Sequence, residues 1–188
     1  QERAEVAEIA APDLVLGAQL VAAGIDCIEH GTGLTDETIE LMASRQVALV
    51  PTLVNIQTFP NIAARAEARY PVYAARMRSL YHRHVETVGK AVDAGVPVYA
   101  GTDAGGTIAH GQISTEIRLL SQLRDPLFGL GAASWRARSW LTGDQAAAGL
   151  GVGAAADLLV LDADPRRDVT AIAHPTFVVL RGRVLRDR

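Results

Sequence analysis

The fold is decided by a short stretch, GIDCIEHG at residues 24–31, in which an apolar run ends on His30 and a glycine. Upstream, apolar residues at helical spacing over residues 10–24 stop at a glycine, where helices commonly end. Downstream, Thr35 is in position to cap a helix that runs to about residue 45, with two carboxylates in its first turn. The stretch is therefore predicted to be a short strand between two helices.

The same order of strand and helix recurs further along the chain. Apolar runs at residues 47–54 and 97–101 predict two more strands, and Pro51 indicates that the first of them bends or ends there. Further helices are predicted at residues 72–94, 114–124 and 132–141. Such alternation is typical of a parallel α/β sheet or barrel. Since a complete (β/α)8 barrel takes about 250 residues, we expect residues 1–150 to form part of one.

The last part of the chain, residues 151–188, has a different pattern. Short strands are predicted at residues 156–162, 176–180 and 184–185, separated by turns. We interpret this tail as a small β unit. Because the first residue is Gln1, we also expect the chain to begin inside a longer protein.

Composition excludes several classes of protein. With 18 Lys and Arg against 21 Asp and Glu, the net charge is −3, so we expect no nucleic-acid partner. No apolar run reaches the roughly 18–20 residues of a membrane span, so we expect no membrane partner and a cytoplasmic location. The single cysteine, Cys27, excludes an internal disulfide and a Cys-rich zinc site.

Two predicted strands end on side chains that bind metals. His30 follows the first strand and Asp103 follows the third, each beside glycines that let the backbone approach a ligand. In parallel α/β folds the active site lies at the carboxyl ends of the strands. Imidazole and carboxylate together suit zinc or a similar divalent ion. The alternative for each is an ordinary strand-end or helix-capping residue. His110, in the loop that follows, is a weaker candidate for substrate binding.

Several motifs in a fixed order resemble the amidohydrolase superfamily, and within it the imidazolonepropionase-like group that includes prolidase-type dipeptidases. They are IEHG at residues 28–31, VPTL at 50–53, GTDAG at 101–105, His110-Gly111, and ADLLVLD at 156–162. The resemblance extends over residues 16–184. It implies that the chain is the C-terminal half of such a protein, with strands six to eight of a metal-dependent hydrolase TIM (β/α)8 barrel in residues 1–150. Residues 151–188 would be C-terminal strands of a small β-sandwich.

The resemblance also implies metal-assisted hydrolysis of an amide, peptide or cyclic amide bond in a small molecule or dipeptide. By position, His30 resembles a metal ligand, and Asp103 resembles the aspartate that binds metal and accepts the proton of the attacking water. The implied cofactor is a divalent metal, Zn2+ first, as one or two ions in the complete protein. A homo-oligomer is left open.

Other ligands that the resemblance implies are missing from the sequence. No histidine precedes His30, so the paired histidines of the first barrel strand are absent, and His82 and His84 fall in a predicted helix instead. The resemblance also implies a lysine at the end of the fourth barrel strand. Lys90 lies in the same predicted helix as His82 and His84 and cannot replace that lysine. Two alternative functions therefore stay open. The chain could be a catalytically inactive fragment or scaffold of the same fold, or part of a superfamily member with deaminase or ring-opening chemistry.

Overall fold

The computed structural model describes residues 6–8, 14–144 and 149–187. Backbone contacts divide the chain into two units, Gln1–His110 and Gly111–Arg188. The expected division into residues 1–150 and 151–188 stays a prediction. Among the described residues, no helix is long and apolar enough to cross a membrane.

The first unit is built on a parallel sheet. Its strands are β1 (Val6–Glu8), β2 (Cys27–Glu29) and β3 (Ala48–Val50), hydrogen-bonded in that order. Ile28 of β2 pairs with Leu49 of β3. The predicted strands at residues 25–29 and 47–54 are therefore neighbours and parallel, as expected. β3 ends at Val50, directly before the proline that predicted a bend or an end.

The predicted strand at residues 97–101 joins the same sheet through a single parallel bridge. Val98 pairs with Leu49, and the amide of Tyr99 donates to the Leu49 carbonyl at 3.0 Å. Because Pro97 has no N–H to donate, it can take part only as an acceptor, and its carbonyl accepts from the Leu49 amide at 2.8 Å. The spatial order is therefore β1, β2, β3 and then residues 97–99.

Helices surround this sheet. They are α1 (Leu14–Ala23), α2 (Asp36–Arg45), α3 (Leu53–Ile56), α4 (Phe59–Ala66) and α5 (Pro71–Asp93). The predicted cap of α2 is confirmed, because the Thr35 hydroxyl accepts from the Thr38 amide at 3.2 Å. Successive β2 residues Cys27 and Ile28 are both buried, so both faces of the sheet are covered, as is usual for parallel strands.

The described residues of the second unit form α-helices, a 3-10 helix (Val169–Ala173) and an antiparallel sheet. The helices are α6 (Ile113–Leu123), α7 (Pro126–Ala133) and α8 (Trp135–Thr142), and the strands are β4 (Leu158–Val160), β5 (Phe177–Leu180) and β6 (Arg183–Asp187). Strand β5 lies between β4 and β6. All three strands of the predicted tail are present. The Asp157 carboxylate connects the turn between β5 and β6 to α8. It accepts from the Arg181 amide at 2.7 Å and from the guanidinium of Arg138, a residue of α8, at 3.0 Å.

Two local predictions were wrong or incomplete. Strand β1 was not predicted, because Val6–Glu8 is too short to show an apolar pattern. The helix predicted at residues 132–141 is two helices, since the backbone leaves the helical region at Ser134. The first of them, α7, begins earlier at a proline that Asp125 caps, with its side chain accepting from the Phe128 amide at 2.7 Å. Gly129 and Gly131 interrupt the side-chain pattern of α7, so the sequence did not predict where this helix begins.

Candidate functional site

The polar side chains of the first unit lie where its parallel strands end. His30 directly follows β2, Thr52 follows β3, and Asp103 follows the paired segment at residues 97–99. Each of these three residues has a left-handed backbone, with φ of 61°, 48° and 53° respectively. Side-chain-bearing residues adopt this conformation at a cost, and such residues concentrate at functional sites. Three consecutive strand ends in the sheet therefore turn in the same unusual way.

His30 is held by its backbone and by its ring. Its amide donates to the Val50 carbonyl at 2.9 Å, which continues the pairing of β2 with β3. The imidazole is 4 % exposed, and its Nδ1 lies 2.5 Å from Oγ1 of Thr52, which is itself 1 % exposed. Glycine suits the next position, because φ is 62° and a Cβ on Gly31 would lie 2.6 Å from a methyl group of Leu49.

Asp103 is exposed, but its carboxylate has a specific partner. Nδ2 of Asn55 donates to Oδ2 of Asp103 at 2.6 Å. The approach of this segment to β3 depends on Gly101, since a Cβ there would lie 2.5 Å from a side-chain carbon of Val50. Gly101 therefore lets this segment approach Val50 of β3, and the Asn55 side chain then holds the Asp103 carboxylate.

His110 lies at the end of the small loop that follows Asp103. Within that loop the Gly105 amide donates to the Ile108 carbonyl at 3.0 Å. The His110 ring is exposed, and it lies beside Gly105, so that a Cβ built there would be 3.9 Å from its Cε1. The assignment of His110 to substrate binding stays a prediction.

The other histidines, the lysine and the cysteine of this unit do not lie at these strand ends or are unreactive. The His84 ring stacks on the Tyr81 ring within α5, and His82 is exposed on the same helix. Lys90 bridges α5 to α2 by donating to Asp36 at 2.9 Å, and this hydrogen bond raises the Lys90 pKa. Burial raises the pKa of the Cys27 thiol to about 12, so it has no nucleophilic thiolate at neutral pH.

The donor types at the strand ends fit a divalent metal in part. A nitrogen from His30 and an oxygen from Asp103 are ligands that zinc and related ions accept. A catalytic zinc ion usually takes three protein ligands. Among residues 6–8, 14–144 and 149–187, no group of three or more His, Cys, Asp and Glu side chains is placed to hold a metal. His30 and Asp103 are therefore fewer ligands than such a site takes.

Thr52 and Asn55 are the site residues that sequence reasoning missed. Residues 47–54 were assigned to a strand, and residue 55 fell in none of the predicted elements. The available signal was Pro51, which ends β3 and puts the following polar side chains at the same edge of the sheet as His30 and Asp103.

Comparison with known proteins identifies relatives over nearly the whole chain. The profile of the amidohydrolase family matches residues 16–185. Uncharacterized proteins of Mycobacterium bovis and Mycobacterium tuberculosis are each 54% identical over 165 residues. That match covers 87% of this chain and 43% of each relative, so the chain spans less than half of their length.

Solved structures also match nearly the whole chain over less than half of their own length. A prolidase complexed with N-methylphosphonate-L-proline superimposes with a TM-score of 0.81 and 26% identity, over 97% of this chain and 45% of that one. An amidohydrolase crystal structure gives a TM-score of 0.79 and 27% identity, over 97% of this chain and 44% of that one. A Xaa-Pro dipeptidase with bound methionine, at 23% identity and a TM-score of 0.79, shares the fold over 95% of this chain and 44% of that one.

Proposed function

Because the chain belongs to the amidohydrolase family, we propose that it supplies the C-terminal part of the catalytic domain of a metal-dependent hydrolase that cleaves carbon–nitrogen bonds. The observation that carries this proposal is the pair of hydrogen bonds that hold His30 and Asp103, each at the end of a strand, to the loop after β3. A histidine with a fixed ring and an acid with a fixed carboxylate suit coordination better than mobile surface groups do.

The proposed architecture extends beyond the described strands. Strands β2, β3 and the segment at residues 97–99 would be strands six, seven and eight of a (β/α)8 barrel. Strands β4 to β6 would be the C-terminal strands of a small β-sandwich. The partial coverage of the relatives supports this, since less than half of each matched chain is represented. The earlier barrel strands would then supply the other metal ligands.

The proposed chemistry assigns distinct tasks to the two residues. A bound divalent ion would lower the pKa of a water molecule toward neutrality and polarise the substrate carbonyl. His30 and Asp103 would hold that ion, His30 through Nε2 because its Nδ1 contacts Thr52. Asp103 would accept the proton of the attacking water and pass it to the leaving nitrogen. His110 would contact the substrate from the loop that follows.

The substrate class proposed first is a dipeptide with a C-terminal proline, and a cyclic amide of the imidazolone type comes second. Support for the first is the likeness to the prolidase that carries a proline phosphonate. The corresponding cellular proposal is a cytoplasmic zinc enzyme that acts on a small molecule or dipeptide and has no nucleic-acid or membrane partner.

The test uses the protein encoded by the complete reading frame that contains this chain. Purified protein should contain zinc and hydrolyse members of a panel of Xaa-Pro dipeptides, acyl-prolines and imidazolones. His30→Ala should lower both metal content and turnover. His82→Ala is the matched control, because His82 is exposed on α5, and it should leave both unchanged. Zinc content and hydrolysis that survive His30→Ala would overturn the proposal.

A further inference from the structure

We propose that residues 51–55, the loop after β3 together with the first turn of α3, form a positioning element that fixes both proposed metal-site residues at once, through Thr52 to His30 and through Asn55 to Asp103. The inference rests on the proposed function, because it assigns a role within that site. None of the five residues in this loop is His, Cys, Asp or Glu, so the loop adds no ligand of those kinds. What it adds is hydrogen bonds to the side chains on either side of it.

Thr52 fixes the ring of His30. Both side chains are almost completely buried, and their polar atoms are 2.5 Å apart. A threonine with φ of 48° is unusual, because β-branched residues disfavour the left-handed region. The contact with His30 gives a reason for that conformation. When the hydroxyl oxygen accepts from Nδ1–H, the neutral imidazole is in the tautomer whose Nε2 can bind a metal.

Asn55 fixes the carboxylate of Asp103. Its amide nitrogen donates to Oδ2 at 2.6 Å. The Thr58 hydroxyl donates to the backbone carbonyl of Asn55 at 2.8 Å, and the side-chain oxygen of Asn55 lies 3.4 Å from the same hydroxyl. Because a carboxylate can only accept, it is the NH2 group of the Asn55 side chain that faces Asp103.

The two positioning residues belong to one hydrogen-bonded turn. The Asn55 amide donates to the Thr52 carbonyl at 2.9 Å, and the Ile56 amide donates to the same carbonyl at 3.1 Å. Leu53, Val54 and Ile56 are buried and anchor the turn. A displacement of this loop would therefore move the partners of His30 and Asp103 together.

The test for Thr52 compares Thr52→Val with Thr52→Ser in the protein from the complete reading frame. Valine keeps the branched shape and removes the hydroxyl, whereas serine keeps the hydroxyl. Zinc affinity of the apoprotein, measured by chelator competition, should fall about 10–100-fold in Thr52→Val, the usual effect of losing an outer hydrogen-bond partner. It should stay near the wild-type value in Thr52→Ser. Equal zinc affinity in folded Thr52→Val and wild type would overturn the inference for Thr52.

The test for Asn55 compares Asn55→Leu with Asn61→Leu, an exposed asparagine on α4. Asn55→Leu should lower kcat by about 10–100-fold while KM for the best substrate of the panel stays close to wild type. Asn61→Leu should change neither. A lowered melting temperature with unchanged kcat would show a merely structural role and would overturn the inference for Asn55.

A spectroscopic readout separates this inference from the proposed function. In apoprotein labelled with 15N-histidine, the His30 imidazole, assigned by its loss in His30→Ala, should be the Nδ1–H tautomer. It should change to Nε2–H in Thr52→Val. If the wild-type protein neither binds zinc nor hydrolyses any substrate, the proposed function fails while the tautomer still decides the positioning role. An Nε2–H tautomer in the wild type would overturn that role.

Discussion

The two sheets of this chain place apolar side chains very differently. In the parallel sheet of the first unit, Ile28 and Leu49 are completely buried. In the antiparallel sheet of the second unit, Leu159 is 51% exposed and Val184 is 58% exposed. A parallel sheet that is covered on both faces has room for polar chemistry only where its strands end. The contrast agrees with the placement of the candidate residues His30, Thr52 and Asp103, which follow paired segments of the parallel sheet.

The largest expected effect on stability tests the contrast in burial. Leu49→Ala should lower the free energy of unfolding by about 2–5 kcal/mol, because it leaves a cavity at the centre of the parallel sheet. Leu159→Ala, the same substitution at a half-exposed position of β4, should cost much less. Chemical denaturation of both variants gives the comparison. Equal losses would show that the two sheets are packed alike.

A smaller effect is expected at the turn that follows β2. Gly31→Ala should destabilise by about 1–3 kcal/mol, because φ is 62° and the new Cβ would meet Leu49. Gly24→Ala is the matched control, since its φ is 92° but a Cβ there meets nothing within 4 Å. Thermal unfolding should therefore show a larger loss at Gly31. A larger loss at Gly24 would contradict the close packing assigned to the His30 turn.

The smallest effect concerns the second unit and its pH dependence. Hydrogen bonds from the Arg181 amide and then the Arg138 side chain lower the pKa of Asp157 below its ordinary value of 3.8. A carboxyl group with a lowered pKa in the folded state contributes stability above its ordinary pKa, and this is lost as the pH falls through the lowered value. The difference in stability between wild type and Asp157→Asn should therefore shrink on acidification below pH 3.8. Denaturation curves across this range would show a constant difference if the contacts of Asp157 were absent.

Much of the fold could be predicted because its signals are local. A threonine before two acids predicted the start of α2, and the glycine that ends the apolar run over residues 10–24 predicted the end of α1. The positions of His30 and Asp103 at strand ends followed from the same patterns. The roles of Thr52 and Asn55 could not be predicted, since they depend on contacts across 22 and 48 residues of sequence. Such contacts leave no local pattern.

The most direct test of the central claim is kcat of Asp103→Asn in the protein from the complete reading frame. The substitution keeps the size of the side chain and removes the proton acceptor. Because Asp103 is exposed, the melting temperature should hardly change. The account predicts a loss of about 10²–10⁴-fold in kcat, the contribution of a positioned acid or base. A folded Asp103→Asn protein with wild-type kcat would contradict it.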